Sequence, residues 1–169
     1  MKKLNIKVAV IQLLGMIFLV NGIMQLRFYT VAEKMICAKT HFSDQKSECC
    51  DKFFPTKEDI TIFWPNVYIW IFFGLLFGII IVSFLNWKNK LSPLNSIIVA
   101  VAMYFILRLK FFRKGVISRV FNFFRTAFSD DFETQCLIEG VTFTIIGIFT
   151  LYLSTNRSLF NVNKRGIEI

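Results

Sequence analysis

Charged side chains leave four gaps in this chain: Val8 to Leu26, Ile60 to Trp87, Leu91 to Leu107 and Gly140 to Asn156. A charge at the centre of a bilayer helix costs about 3 kcal/mol, so uncharged runs of roughly 17 to 28 residues, rich in Phe, Ile and Leu, are what insertion into lipid demands. The pattern predicts an all-α integral membrane protein with four transmembrane helices, at about 8–26, 60–85, 91–107 and 134–155. These four helices account for one compact membrane domain over residues 1–169.

Within the first span, Gly15 and Gly22 are seven residues apart, which puts both on the seam of a left-handed helix pair. Gly74 and Gly78 form a Gly-x-x-x-Gly face in the second span, and Gly140 and Gly147 are packing candidates in the fourth. Asn21 and Gln25, at i and i+4, share a face near the end of the first span and need polar partners there. Glu139, one or two turns inside the fourth span, belongs at the same end, and the three are expected to form a polar cluster with Arg108 close by. Trp64 and Trp87 lie near the ends of the second span at a separation of roughly 35 Å, as interfacial belt residues would. Pro65 is expected in the first turns of that helix, where its missing N–H costs little. A short turn, Asn86 to Lys90, leads to Ser92-Pro93, an N-cap and first-turn pair for the third span, so spans two and three are antiparallel neighbours.

Two connections are long. The first, residues 27–59, carries six basic and six acidic residues, His41 and three cysteines, and is too long for a plain link, which predicts a small cap with short helices. The second, residues 108–128, reads as a basic amphipathic segment at the membrane surface. Leu109, Phe112, Val116, Val120, Phe123 and Ala127 line one side at 100° per residue, and Lys110, Lys114 and Arg125 gather on the other. Arg108, Lys110, Arg113, Lys114 and Arg125 are the candidates for contact with lipid phosphates or a partner protein.

Charge and composition agree with lipid. The net charge is +9, but the 20 Lys and Arg residues sit almost wholly between the apolar runs, so phosphate headgroups account for them and nucleic acid does not. A hydrophobic content of 55% and a mean hydropathy of +0.57 exclude an ordinary soluble domain. Met1-Lys2-Lys3 before an apolar run resembles a signal sequence, but that run is long for a cleavable core, and the first helix is expected to be retained.

Four spans place both ends of the chain on one side and the long connections on the other. Cys37, Cys49, Cys50 and Cys136 all fall on the long-loop side, which suggests disulfides in an oxidising compartment. Neighbouring Cys49 and Cys50 do not readily bond to each other, so each would look to Cys37 or Cys136. Basic residues are denser near the ends of the chain and more numerous in the long loops, and the cysteines favour cytoplasmic or matrix termini.

Catalytic and cofactor motifs are absent from the sequence. There is no Cys-x-x-Cys, no second His for a metal pair, no Gly-rich phosphate loop and no nucleophile set around His41, so the sequence predicts neither an enzyme, a metal site nor a cofactor. It is expected to be a non-catalytic accessory or assembly subunit of a larger membrane complex, contacting lipids and other membrane subunits in a hetero-oligomer. The alternatives are a small transporter or channel subunit using Glu139, and a membrane thiol-disulfide protein.

Overall fold

A computed structural model describes residues 5–41, 48–109, 119, 121, 123 and 129–155. Every regular element among them is helical: α1 (Ile6–Thr30), α2 (Ala32–His41), α3 (Glu48–Phe53), α4 (Lys57–Lys88), α5 (Pro93–Arg108) and α6 (Phe132–Leu153). Three of these, α1, α4 and α6, are long and apolar enough to cross a membrane. The third expected span is shorter: α5 has 16 residues and a length of roughly 24 Å, against about 30 Å of hydrocarbon.

Helix ends are set by local polar chemistry beyond the hydrophobic limits. Asn5 starts α1 by accepting the Val8 N–H at 3.3 Å, and Arg27 closes it by donating to Thr30 Oγ1 at 3.2 Å, so the helix outruns its charge-free stretch at both ends. A capping box begins α4: Thr56 Oγ1 accepts from the Asp59 N–H at 3.3 Å, and Asp59 Oδ2 accepts from the Thr56 N–H at 3.0 Å. This earlier start moves Pro65 out of the first turn and into the helix interior. Ser92 and Pro93 open α5, and Lys90 takes a left-handed φ of 54° in the turn before them. Asp131 opens α6 by accepting from the Thr134 hydroxyl at 2.6 Å and from its N–H at 2.8 Å; these bonds, the hydroxyl foremost, hold the Asp131 carboxyl below its ordinary pKa.

The central element is α1. It packs against α6 on one side and against the α4–α5 hairpin on the other, whereas α4 meets α6 only marginally and α5 has no substantial contact with α6 among the described residues. Met16, Leu19, Val20, Val82, Val99, Met103 and Leu151 make the buried core around it.

The α1/α6 seam alternates small and large residues. Leu151 fills the space opposite Gly15, Leu19 lies against Gly147, and Leu26 against Gly140. A Cβ at Gly22 would stand 2.5 Å from the Thr144 backbone nitrogen, and one at Gly147 would stand 2.6 Å from that of Leu19. No side chain fits such spaces, so glycine is what lets the backbones approach. The register is antiparallel and brings Asn5 and Thr155 toward one end of the bundle. At α4, Gly74 lies against Val20 and Ile23 of α1, and Gly78 against Met16.

Because α4 is longer than α1, its first turns stand proud of the bundle and carry the cap. Cys37, Ala38 and Phe54 are buried there with Phe53, Ile60, Phe63 and Trp64 around them, and α2 packs on α3. Trp64 is therefore a cap residue, not the belt residue its spacing suggested. Its ring meets Phe63 at 5.3 Å and stacks on Tyr68 at 6.0 Å. The belt pair that fits the bundle is Trp70, level with Arg27, and Trp87, which is 79% exposed. Their separation of roughly 26 Å and the roughly 33 Å from Asn5 to Arg27 bracket a hydrocarbon layer.

In the connection between α5 and α6, the described aromatic residues are placed differently from the expected apolar face. Phe121, 6% exposed, packs edge-on against Phe18 at 5.9 Å and Phe143 at 4.7 Å, which lie inside α1 and α6, one to three turns below Arg27 and Glu139. Phe123, on the expected apolar face, is 74% exposed, as Leu109 is in large part. Residues 119, 121 and 123 are helical, as expected of this segment, but α5 stops at Arg108 and its cap residue, Leu109, is extended, so the segment does not run on from α5 as one unbroken helix. Arg108 ends α5; Lys110, Phe112, Arg113, Lys114, Val116, Val120, Arg125 and Ala127 lie outside the described residues.

Candidate functional site

Polar groups concentrate at the two ends of the bundle. At the end where α1 begins, Gln12 and Asn86 exchange a reciprocal pair of amide hydrogen bonds: Gln12 Nε2 donates to Asn86 Oδ1 at 2.6 Å, and Asn86 Nδ2 donates to Gln12 Oε1 at 3.2 Å. Asn86 Nδ2 also donates to Ser96 Oγ at 2.9 Å, which ties α1, α4 and α5 together through one side chain. Alongside, the Asn5 N–H donates to Asn95 Oδ1 at 3.2 Å, while Asn95 Nδ2 is buried without a hydrogen-bond partner. Gln12 and Asn95 are fully buried, and Asn86 nearly so. In a medium that offers no water, such satisfied amides fix helix register more than they add raw stability. A cavity of about 370 Å³, lined by Ser83, Asn86, Trp87, Leu91, Pro93 and Ser96 among others, opens beside this cluster.

At the cap end, Asn21 and Gln25 lie on the last turns of α1 and Glu139 on the first turns of α6. Asn21 turns toward α4 and α5, where it lines an apolar cavity of about 140 Å³ with Ile17, Met24, Ile71, Met103 and Ile106. Its Nδ2 is buried there without a partner. Glu139 lies on α6, 1% exposed, next to the Gly140 that abuts Leu26, and so at the level of the last turn of α1. Gln25 is also buried.

Arg27 occupies the lip of this end. Its guanidinium sits 5.5 Å from the Trp70 ring centroid, a cation–π distance, and its Nε is buried with no hydrogen-bond partner. Cys136 is fully buried and carries a thiol rather than a disulfide, so the closure expected from helix four to the cap is not made. Cys37 is fully buried in the cap; Cys49 and Cys50 lie on α3. Among the described residues no three His, Cys, Asp or Glu side chains converge as a metal site would require.

The Gln12–Asn86–Ser96 cluster was missed in the sequence, where Asn86 reads as a turn residue. The available signal is that Gln12 falls on the stripe of Val8, Gly15 and Leu19, the face that the glycine seam marks as buried. Comparison with known family models, with curated proteins and with solved structures gave no match.

Proposed function

We propose that this multi-pass membrane protein is a non-catalytic accessory or assembly subunit of a larger membrane complex. The observation that carries the reading is the open arrangement around α1. Among the described residues, the outer face of the α4–α5 hairpin has no helical neighbour and presents Tyr68, Phe72, Phe84, Ile97, Tyr104 and Phe105. A helix of α5's length, shorter than the hydrocarbon layer, is accommodated by neighbouring helices or by local thinning of the bilayer. Extraction in a mild detergent followed by native-gel mass measurement tests the proposal. A large co-migrating assembly is the expected result; a bare 19.7 kDa species overturns it and favours the transporter reading, in which the buried Glu139 is the working group.

We also propose that the cap faces an oxidising compartment and is closed by a disulfide from Cys37 to Cys49 or Cys50. Support comes from the buried position of Cys37 and from the packing of α2 on α3, which carries both possible partners. Peptide mapping without reduction should find one cap cross-link and Cys136 as a thiol. Recovery of all four cysteines as thiols would place the cap in a reducing compartment instead.

A further inference from the structure

Two pockets meet at Arg27 and Thr30. One is an apolar groove of about 420 Å³ between α1 and α4, walled by Ile23, Leu26, Trp70, Phe73 and Phe77. The other is a polar pocket of about 440 Å³ toward the cap, walled by Tyr29, Glu33, Lys34, Phe53 and Glu133 among others. The groove lies on the bilayer side of Arg27, and the pocket lies on the side where the chain turns into α2. A site apolar below and charged above, at the level where Arg27 and Trp70 mark the membrane boundary, has the polarity of a lipid molecule in place.

The charges say which lipid. Arg27 donates only to the neutral Thr30 hydroxyl, and its Nε is buried without a partner, so it keeps donors for an oxyanion. A planar guanidinium held over an indole suits the two free oxygens of a phosphodiester. The Lys34 ammonium lies 5.9 Å from the Phe53 ring centroid, which leaves Glu33 and Glu133 as the acceptors of the pocket. None of Arg27, Glu33, Lys34 and Glu133 is ion-paired among the described residues. Two cations and two carboxylates make the pocket neutral in sum, which suits a zwitterion better than a net anion.

We propose that this composite site binds a glycerophospholipid whose headgroup joins a phosphate to a primary ammonium, of the phosphatidylethanolamine class. The phosphate sits on Arg27 and the ammonium donates to Glu33 and Glu133. One acyl chain lies in the groove along Trp70, Phe73 and Phe77. A choline headgroup lacks the N–H donors that the carboxylates need, and a glycerol headgroup lacks the positive charge. The proposal rests on α1 and α4 spanning the membrane and not on the subunit role, so its failure and that of the assembly reading come from different experiments.

The test uses the full chain, delipidated in detergent and resupplied with phosphatidylethanolamine, phosphatidylcholine or phosphatidylglycerol, with retained lipid counted by native mass spectrometry. The expected result is about tenfold preference for the ethanolamine lipid, loss of its retention in Arg27→Gln, and loss of the preference alone in Glu33→Gln/Glu133→Gln. In a Trp64→Phe/Trp87→Phe background, an ethanolamine lipid with brominated chains should quench Trp70 more than its choline counterpart. Equal retention of the three lipids overturns the proposal. So does a preference for phosphatidylglycerol, or equal Trp70 quenching by the two brominated lipids. If Arg27→Gln fails to fold, the exposed glutamate pair and the Trp70 measurement still decide.

Discussion

At the scale of single residues, the bundle's specificity rests on a few amides that the lipid cannot solvate. Removing one member of the Gln12–Asn86 pair leaves the other buried with empty donors and acceptors, at a cost of about 1–3 kcal/mol. Removing both leaves only the Ser96 bond broken, so Gln12→Leu/Asn86→Leu should destabilise by less than the sum of its single variants. Reversible unfolding in detergent across the four proteins measures this, and strict additivity would show that the two amides do not support each other. Residues of this kind are the hardest to read from a sequence. Gln12 interrupts an apolar run as Asn21 and Gln25 do, and only the packing of α1 on three neighbours decides which amide is paired, which lines a cavity and which is simply buried. Glu139 was conspicuous as a charge in an apolar stretch, but its burial follows from the glycine beside it, which draws α6 onto Leu26.

At the scale of helices, hydrophobic runs announced where each long element lies, because a charge in lipid is costly over the whole width of the core. They did not announce the ends. Thr56, Asp59 and Asp131 are polar caps, and capping extends a helix into water by rules unrelated to hydrophobicity. The same distinction explains the two main departures. Trp64 has belt spacing yet packs into the cap, since the capping box starts α4 above the bundle; Phe121 leaves the presumed surface arm for a ring cluster with Phe18 and Phe143. The glycine seam makes a clear prediction at this scale. Gly22→Leu places carbon where the Thr144 backbone already stands and should cost about 1–3 kcal/mol and loosen α6 from α1, whereas Ile98→Leu on the exposed face of α5 should be silent. Engineered cysteine pairs across the α1/α6 seam would report the loosening as slower cross-linking, and equal rates in both variants would contradict the close approach drawn here.

At the scale of the molecule, α1 joins two groups of helices that scarcely touch each other among the described residues. The chain made up to residue 109 contains α1 and the α4–α5 hairpin, but not the helix that covers Gly15, Gly22 and Leu26. A chain truncated after residue 131 should therefore insert its earlier spans yet be cleared rapidly, and pulse–chase turnover with and without α6 measures this; equal lifetimes would mean that α1 does not need its partner. Of the described helices, the one made earliest is thus the last to be enclosed. At about 5–20 residues per second, the hundred or so residues between α1 and α6 impose a wait of several seconds, during which the grooved face of α1 is open to any membrane factor that escorts unfinished chains.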